Sequence, residues 1–338
     1  MAAFTDAAQD GLSAAMNAER HVSESRSTAR KIGLFVNDLS GYPGSIVRET
    51  RSAARDAGLD VEVFDAQRNA AKQAHDVMRF AQQNSDQALC ALVVPETDAL
   101  HEGDVADDPI YRVAQRLARA GVGWVTLNHG REDVVTALSC EFPLLPIALV
   151  AVDNVEFGRV QGRQLQALLP EGGAVLCVRG HPCDTACRDR SDGLRVQIEG
   201  GPIVLHAVDG RWDAALSREA VQRWVTSPAR RQRPLHGVVA QNDPMALAAR
   251  AALDAAAEEL RRPELRLVPV IGGDGLPDVG LPAVDEGLLT ATVQVRLPGG
   301  PAVDLLARHW HDGSPLPLVT RLAVQSYPPT ATLHPRAH

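Results

Sequence analysis

Short apolar runs rich in β-branched residues alternate with stretches of helical period along this chain, and the alternation occurs twice. The first series opens with KIGLFV at residues 31–36 and the Gly/Pro-bearing loop NDLSGYPG. A helix is expected over residues 45–57, with Ile46, Val47 and Ala54 among its apolar positions. VEVFDA, LCALVVP and GWVTLN read as the next strands, separated by helices near residues 70–83 and 110–120. The second series predicts helices over residues 153–169, 185–197, 214–224 and 244–260, with AVLCVRG, IVLHAV, LHGVVAQ and LRLVPVIGG as strands. Such alternation specifies α/β architecture with parallel sheets covered on both faces. Two series imply two Rossmann-like lobes with parallel-rich sheets, each presenting ligand-facing loops at the carboxyl ends of its strands.

That geometry gives the residues just after each strand a common role. Residues 38–44, 95–97, 128–130, 180–184, 209–213, 241–243 and 273–275 should line facing edges, and a cleft between two lobes is a usual place for a small-molecule site. At 338 residues the chain is long enough for two domains with separate cores. The net charge of −8, from 34 Lys plus Arg against 42 Asp plus Glu, gives no footprint for nucleic acid. The basic clusters at residues 229–233 and 261–262 read as solvated loops or helix ends.

Residues 1–30 are Ala, Ser and charge rich and read as a flexible or partly helical extension, with a short helix near residues 10–20. They carry no basic start followed by an apolar run, and nothing later resembles a membrane span of about 20 apolar residues. The expectation is therefore cytoplasmic if the sequence is complete, and periplasmic if an export signal was removed or the start is misassigned. No membrane insertion is expected.

Five cysteines, Cys90, Cys140, Cys177, Cys183 and Cys187, form no disulfide framework. Cys90 and Cys177 lie in apolar runs and read as core. Cys183 and Cys187, near His181, lack the second pair that a zinc site needs, so no metal is expected. There is no G-x-G-x-x-G after the first strand, no phosphate-binding G-x-x-x-x-G-K-[ST] loop and no G-x-S-x-G elbow. Asp184, Asp209, Asp213 and Asp274 stand near strand ends as acid/base candidates, but turns and caps account for most such aspartates. The chain is accordingly read as non-enzymatic, without a cofactor.

Four segments in order, VAVDNVEFGRVQGRQL at 150–165, AVLCVRGHPCDTACRDRSDGL at 174–194, GVVAQNDPMALAARAAL at 237–253 and VIGGDGLPDVGLPAVDEGLLTATV at 270–293, carry a resemblance. With the start at Lys31, they resemble the periplasmic sugar-binding proteins of the ribose-binding type and the related effector-binding cores of bacterial sugar-responsive repressors. The resemblance implies a type I periplasmic binding protein fold with three hinge crossovers, near residues 149–153, 293–297 and 318–324. It implies a first lobe of residues 31–151 plus 296–316, a second of 152–295 plus 317–330, and a frayed tail at 331–338. Asp153, just past the first hinge, would serve structure.

The same resemblance assigns ligand roles to Arg188, Trp212, Asn242 and Asp274. Arg188 would donate a charged fork to ring or hydroxyl oxygens, with neighbouring Arg190 read as a helix-surface or internal salt-bridge residue and an exchange of the two roles as the alternative. Trp212 would lie against an apolar sugar face. Asn128 and His129 stand where the family commonly has an Asp-Arg pair, and are retained as ligand candidates. The family's paired aromatics fall near Gly44 and Ser45, so Tyr42 and Ser45 are secondary candidates; Trp124 reads as core. Gly273 replaces an aromatic residue beside the late aspartate, and Gln294 is the nearest match to a family glutamine, although Val295 aligns more simply. The pocket is therefore expected to be wider and less aromatic than a ribose site.

The expected function is binding of a small polar ligand, a monosaccharide or polyol, by hinge closure, as a solute receptor for transport or sensing. A cytoplasmic sensor acting through a protein partner, or a sugar-modifying enzyme, is the alternative. The expected partner is a membrane permease or a sensor protein, with no direct nucleic acid. A monomer is expected, with a dimer as the alternative. Met245 and the alanines around it should pack a helix on its sheet, while His206, His309 and His311 read as structural or exposed.

Overall fold

The computed structural model describes residues 30–84, 87–96 and 103–335. The helix expected at residues 10–20 lies outside them, as do Thr97 and residues 336–338. The first lobe alternates β1 (Arg30–Val36), α1 (Gly41–Asp56), β2 (Asp60–Asp65), α2 (Ala70–Gln83), β3 (Ala88–Val93), α3 (Pro109–Arg119), β4 (Gly123–Asn128), α4 (Glu132–Glu141) and β5 (Ile147–Val152). The second contains α5 (Asn154–Leu168), β6 (Gly173–Arg179), α6 (Thr185–Ile198), β7 (Ile203–Asp209), α7 (Ala214–Thr226), β8 (Gly237–Ala240), α8 (Asp243–Glu259), β9 (Val270–Ile271), α9 (Gly280–Asp285) and β10 (Thr292–Val295). The chain then returns through α10 (Gly299–Asp312) and β11 (Val319–Leu322) before ending with β12 (Val324–Tyr327).

The first sheet runs β11-β5-β4-β3-β1-β2 and the second β7-β6-β8-β9, every pairing within them parallel. β10 and β12 form a separate antiparallel ribbon. All six residues of β5 are buried, as a parallel strand covered on both faces must be. Apolar clusters fill the two faces of each sheet, with Phe35, Phe80 and Trp124 on one face of the first and Met245 and the α8 alanines on one face of the second. A small cluster of Val152, Phe157, Val160, Val293 and Val295 packs where the lobes are joined.

Asx residues after strands start the helices that face the cleft. Asn69, Asp108, Asp153, Asp184, Asp213 and Asn242 each accept a backbone N–H from the first turn of their helix. Apart from Asp108, which follows β3 by a longer connection, these residues leave each strand-end loop short and its polar side chain fixed at the sheet edge.

Three expectations change. Residues 317–322, read as second lobe, place β11 beside β5 in the first sheet, where it covers an otherwise open parallel edge. LRLVPVIGG gives only a two-residue strand, because residues 263–267 form a 3-10 turn whose Leu265 carbonyl, with that of Val268, is held by the Arg250 guanidinium. Pro269, lacking an N–H, interrupts any longer strand. The tail does not fray at residue 331: Leu333 is buried in the second-lobe core.

Candidate functional site

The carboxyl ends of the two sheets face one another across a cavity of about 410 Å³, a volume suited to a small molecule. Arg190, from α6, organises its second-lobe wall. The side chain is 5% exposed; Nε donates to Asn154 Oδ1 at 2.9 Å, while Nη1 donates to the Gln241 carbonyl and to Asp274 Oδ1 at 3.2 Å. Its guanidinium carbon lies 3.8 Å from the Phe157 ring centroid and 5.6 Å from that of Trp212, both within cation–π range. Gln241 ties the wall together, accepting from the Gly180 N–H at 2.7 Å and donating to Cys187 O and Ser191 Oγ.

Two glycines make room for the rings. A Cβ on Gly180 would run into the Trp212 indole, and one on Gly273 into the Phe157 ring. Gly273 therefore does not leave the wall without an aromatic: Phe157 fills that space from α5. Trp212 Nε1 donates to Asp184 Oδ2 at 3.1 Å, which fixes the indole edge. Asn128, Trp212 and Asp274 have positive φ, at 72°, 61° and 87°. Such backbone persists only where surrounding contacts hold it.

Burial pushes the Asp274 carboxyl above its ordinary value, against the pull of Arg190. Neighbouring Asp243 is pushed up to about 7 by burial and by Asp274, despite hydrogen bonds from Thr292 Oγ1 at 2.7 Å and Gly275 N–H at 2.8 Å. Both carboxyls therefore resist ionisation.

The first-lobe wall differs. Tyr42, in the first turn of α1, has a buried hydroxyl with no hydrogen-bond partner among the described residues, and burial pushes its phenol up, reinforced by Asp274. His129, just past β4, is 5% exposed, and its Nδ1 also has no hydrogen-bond partner among the described residues. At the rim Arg68 pairs with Asp38 at 2.9 Å. Arg48 reaches Asp278 of the other lobe at 2.9 Å, but both side chains are more than half exposed, so this bridge adds little.

Of the sequence candidates, Asn128, His129, Trp212, Asn242, Asp274 and Tyr42 all line the cavity. Arg188, Ser45 and Gln294 do not. Arg188 is on the exposed face of α6. The buried stripe of that helix runs Ala186, Cys187, Arg190, Gly193 and Leu194, so helical period directs Arg190 inward and turns a residue two positions away outward. Ser45 is buried in α1, donating to the Gly41 carbonyl and accepting from Arg48. Gln294 accepts from Gln325 across the β10-β12 ribbon. Trp124 is core, its Nε1 donating to Thr126 Oγ1. Glu96 and Asp243, from strand-end segments expected to line the cleft, also line the cavity, as does Arg68, which lay outside those segments.

A model of the periplasmic binding protein domain matches residues 32–309. The ribose import binding protein of Escherichia coli strain K12 is 26% identical over 266 residues, 78% of each chain. Among solved structures, the periplasmic binding component of the arabinose ABC transporter from Shewanella sp. ANA-3, bound to L-arabinofuranose, is similar with a TM-score of 0.72 at 22% identity, covering 89% of this chain and 93% of that one. The Caulobacter myo-inositol binding protein is similar with a TM-score of 0.69 at 23% identity, covering 88% and 92%.

Proposed function

This chain belongs to the periplasmic binding protein domain family, and from that premise we propose that it is a non-catalytic receptor whose lobes close around one neutral polyhydroxylated molecule, a monosaccharide or a cyclitol. The observation that carries the reading is the buried Arg190–Asp274 pair, set beside the Phe157 and Trp212 rings. The guanidinium and carboxylate offer a donor and an acceptor to adjacent hydroxyls, and the indole offers an apolar face to ring C–H groups.

Charge balance argues for a neutral ligand. Arg190 is neutralised by Asp274 and Arg68 by Asp38, while Asp184 and Glu96 add further carboxylates to the lining. The remaining arginine of the lining, Arg211, is exposed, so an anionic sugar would meet no buried arginine free of a carboxylate. Arg190, Asp274, Trp212 and Asn242 are the proposed contacts from the second lobe, and Tyr42, Asn128 and His129 those from the first.

Closure would work by population shift: a ligand that bridges both walls favours the closed arrangement by its extra contacts there. Names among the similar structures, including an arabinose ABC transporter component, support delivery to a membrane permease. A sensor protein reading the closed shape is the alternative partner.

Native mass spectrometry of freshly purified protein, followed by thermal-shift screening with D-ribose, L-arabinose, D-allose and myo-inositol beside a sugar acid and a sugar phosphate, tests the reading. A one-to-one polar adduct, or selective stabilisation by a neutral member, is expected; saturation at 100 times Kd corresponds to about 2.7 kcal/mol. Stabilisation by the anionic members alone, or by none, overturns it.

A further inference from the structure

His129 and Asp184 meet across the cleft from opposite lobes. His129 follows β4 in the first, and Asp184 caps α6 in the second. Their side chains are 5% and 4% exposed, and His129 Nδ1 lies 4.0 Å from Asp184 Oδ1. That separation is too long for a hydrogen bond, yet Nδ1 is buried and has no hydrogen-bond partner among the described residues.

Asp184 is anchored on its own side. Oδ1 accepts from the Ala186 N–H at 2.8 Å and Oδ2 from Trp212 Nε1 at 3.1 Å. A carboxylate oxygen accepts two hydrogen bonds, so Oδ1 keeps one acceptor position.

We propose that the gap between His129 Nδ1 and Asp184 Oδ1 is a slot for one hydroxyl of the ligand, which donates its hydrogen to Asp184 and accepts the Nδ1–H of His129. Two hydrogen bonds of about 2.8 Å meeting at about 90° span the observed gap. The site is selective because a hydroxyl supplies a donor and an acceptor on one atom. An ether oxygen brings no proton to Asp184, and a methylene leaves both walls unsatisfied.

The slot rests on the polyol reading above and adds a specific assignment to it. One wall belongs to each lobe, so the slot is complete only when the lobes are together, and the hydroxyl that fills it couples recognition to closure. Asp184 also aims the indole of Trp212, which links the slot to the stacking face.

The test is calorimetry with D-ribose, L-arabinose and myo-inositol, each beside its single-deoxy analogues, on the wild-type chain, Asp184→Ala and His129→Ala. For a panel member that binds, one deoxy position should cost the wild type at least tenfold. The same position should cost each variant less than twofold, with every other deoxy position unchanged in its effect. Asp184→Ala also removes the cap of α6; should that variant not fold, His129→Ala, which caps no helix, carries the test. Trp212→Phe, which removes the indole N–H but leaves a ring, should keep the discrimination. A panel member that binds while both folded variants retain full discrimination, or lose affinity equally for all analogues, overturns the slot alone. Failure of every panel member to bind overturns the polyol reading and the slot with it.

Discussion

On the second-lobe face Arg190, Gln241, Trp212 and Asp243 make their hydrogen bonds within their own lobe, whereas on the first-lobe face Tyr42 and His129 each keep a buried polar atom without a hydrogen-bond partner. The difference divides the work of binding. The second-lobe wall is preorganised, so a ligand docking there meets groups already oriented and loses little to reordering. The first-lobe wall carries polar atoms that a bridging ligand can satisfy, and that unmet demand favours the closed state once a ligand is present.

The largest effect that this contrast predicts is at Arg190. Arg190→Ala leaves Asp274 buried without its cation and removes the group stacked on Phe157. Breaking a buried pair from one side costs about 3 to 5 kcal/mol, so urea unfolding should show a loss of that size together with loss of ligand binding. Arg188→Ala, on the exposed face of the same helix, should change stability by no more than about 0.5 kcal/mol. If Arg188 proved as costly as Arg190, the second-lobe wall would not be organised as the helix face implies.

The next effect is a pH dependence confined to the finished wall. Asp243 ionises near 7 in the folded chain, because of burial and of Asp274, and near 4 when unfolded. The folded state thus holds more protons between those values. Its contribution is fully present below about pH 4 and is lost as pH rises through about 7. Stability should fall by roughly 4 kcal/mol across that window, with Asp274, also raised, adding the same sign. Asp243→Asn can still accept from the Gly275 N–H and donate to the Thr292 hydroxyl, so it should flatten the slope. Denaturant midpoints measured from pH 4 to 8 check this, and an unchanged slope in the variant would mean that Asp243 is not the titrating group.

How much of this was legible in the sequence follows from which forces decide each feature. β1 and β4 stand out because their apolar runs are bounded by loop residues, and the α8 helix because Asn242 caps an alanine-rich run. The lobe of β11 was not legible: VTRL carries no label for one sheet over the other, and the open edge of β5 decides it. α4 and β5 were passed over where FPLLPIALVAV runs apolar through two prolines into the hinge. At the site, the resemblance assigned the ligand role to Arg188 in ACRDR, whereas the buried stripe of α6 turns Arg190 inward and Arg188 out. That stripe was present in Cys187 and Leu194 as an apolar spacing. Phe157 carried no such signal, since its role depends on where Gly273 arrives from a distant part of the chain, and Asp184, legible as a strand-end aspartate, took its place opposite His129 only in the fold.

The smallest effect is the one that reads the unfinished wall directly. The Tyr42 hydroxyl is buried in the first turn of α1 without a partner. Removing an unsatisfied buried hydroxyl relieves its desolvation, so Tyr42→Phe should raise the stability of the unliganded chain by up to about 1 kcal/mol. The same change should weaken ligand binding by about 1 kcal/mol, roughly fivefold, because the ligand loses the group that it satisfied. Burial beside Asp274 pushes the phenol up and keeps it neutral, so both effects should be flat between about pH 5 and pH 9. Opposite signs for stability and affinity are what distinguish a wall completed by ligand from one already complete. A loss of both in urea melts and calorimetry would mean that the hydroxyl is satisfied before ligand arrives, and the contrast between the two faces would then rest on His129 alone.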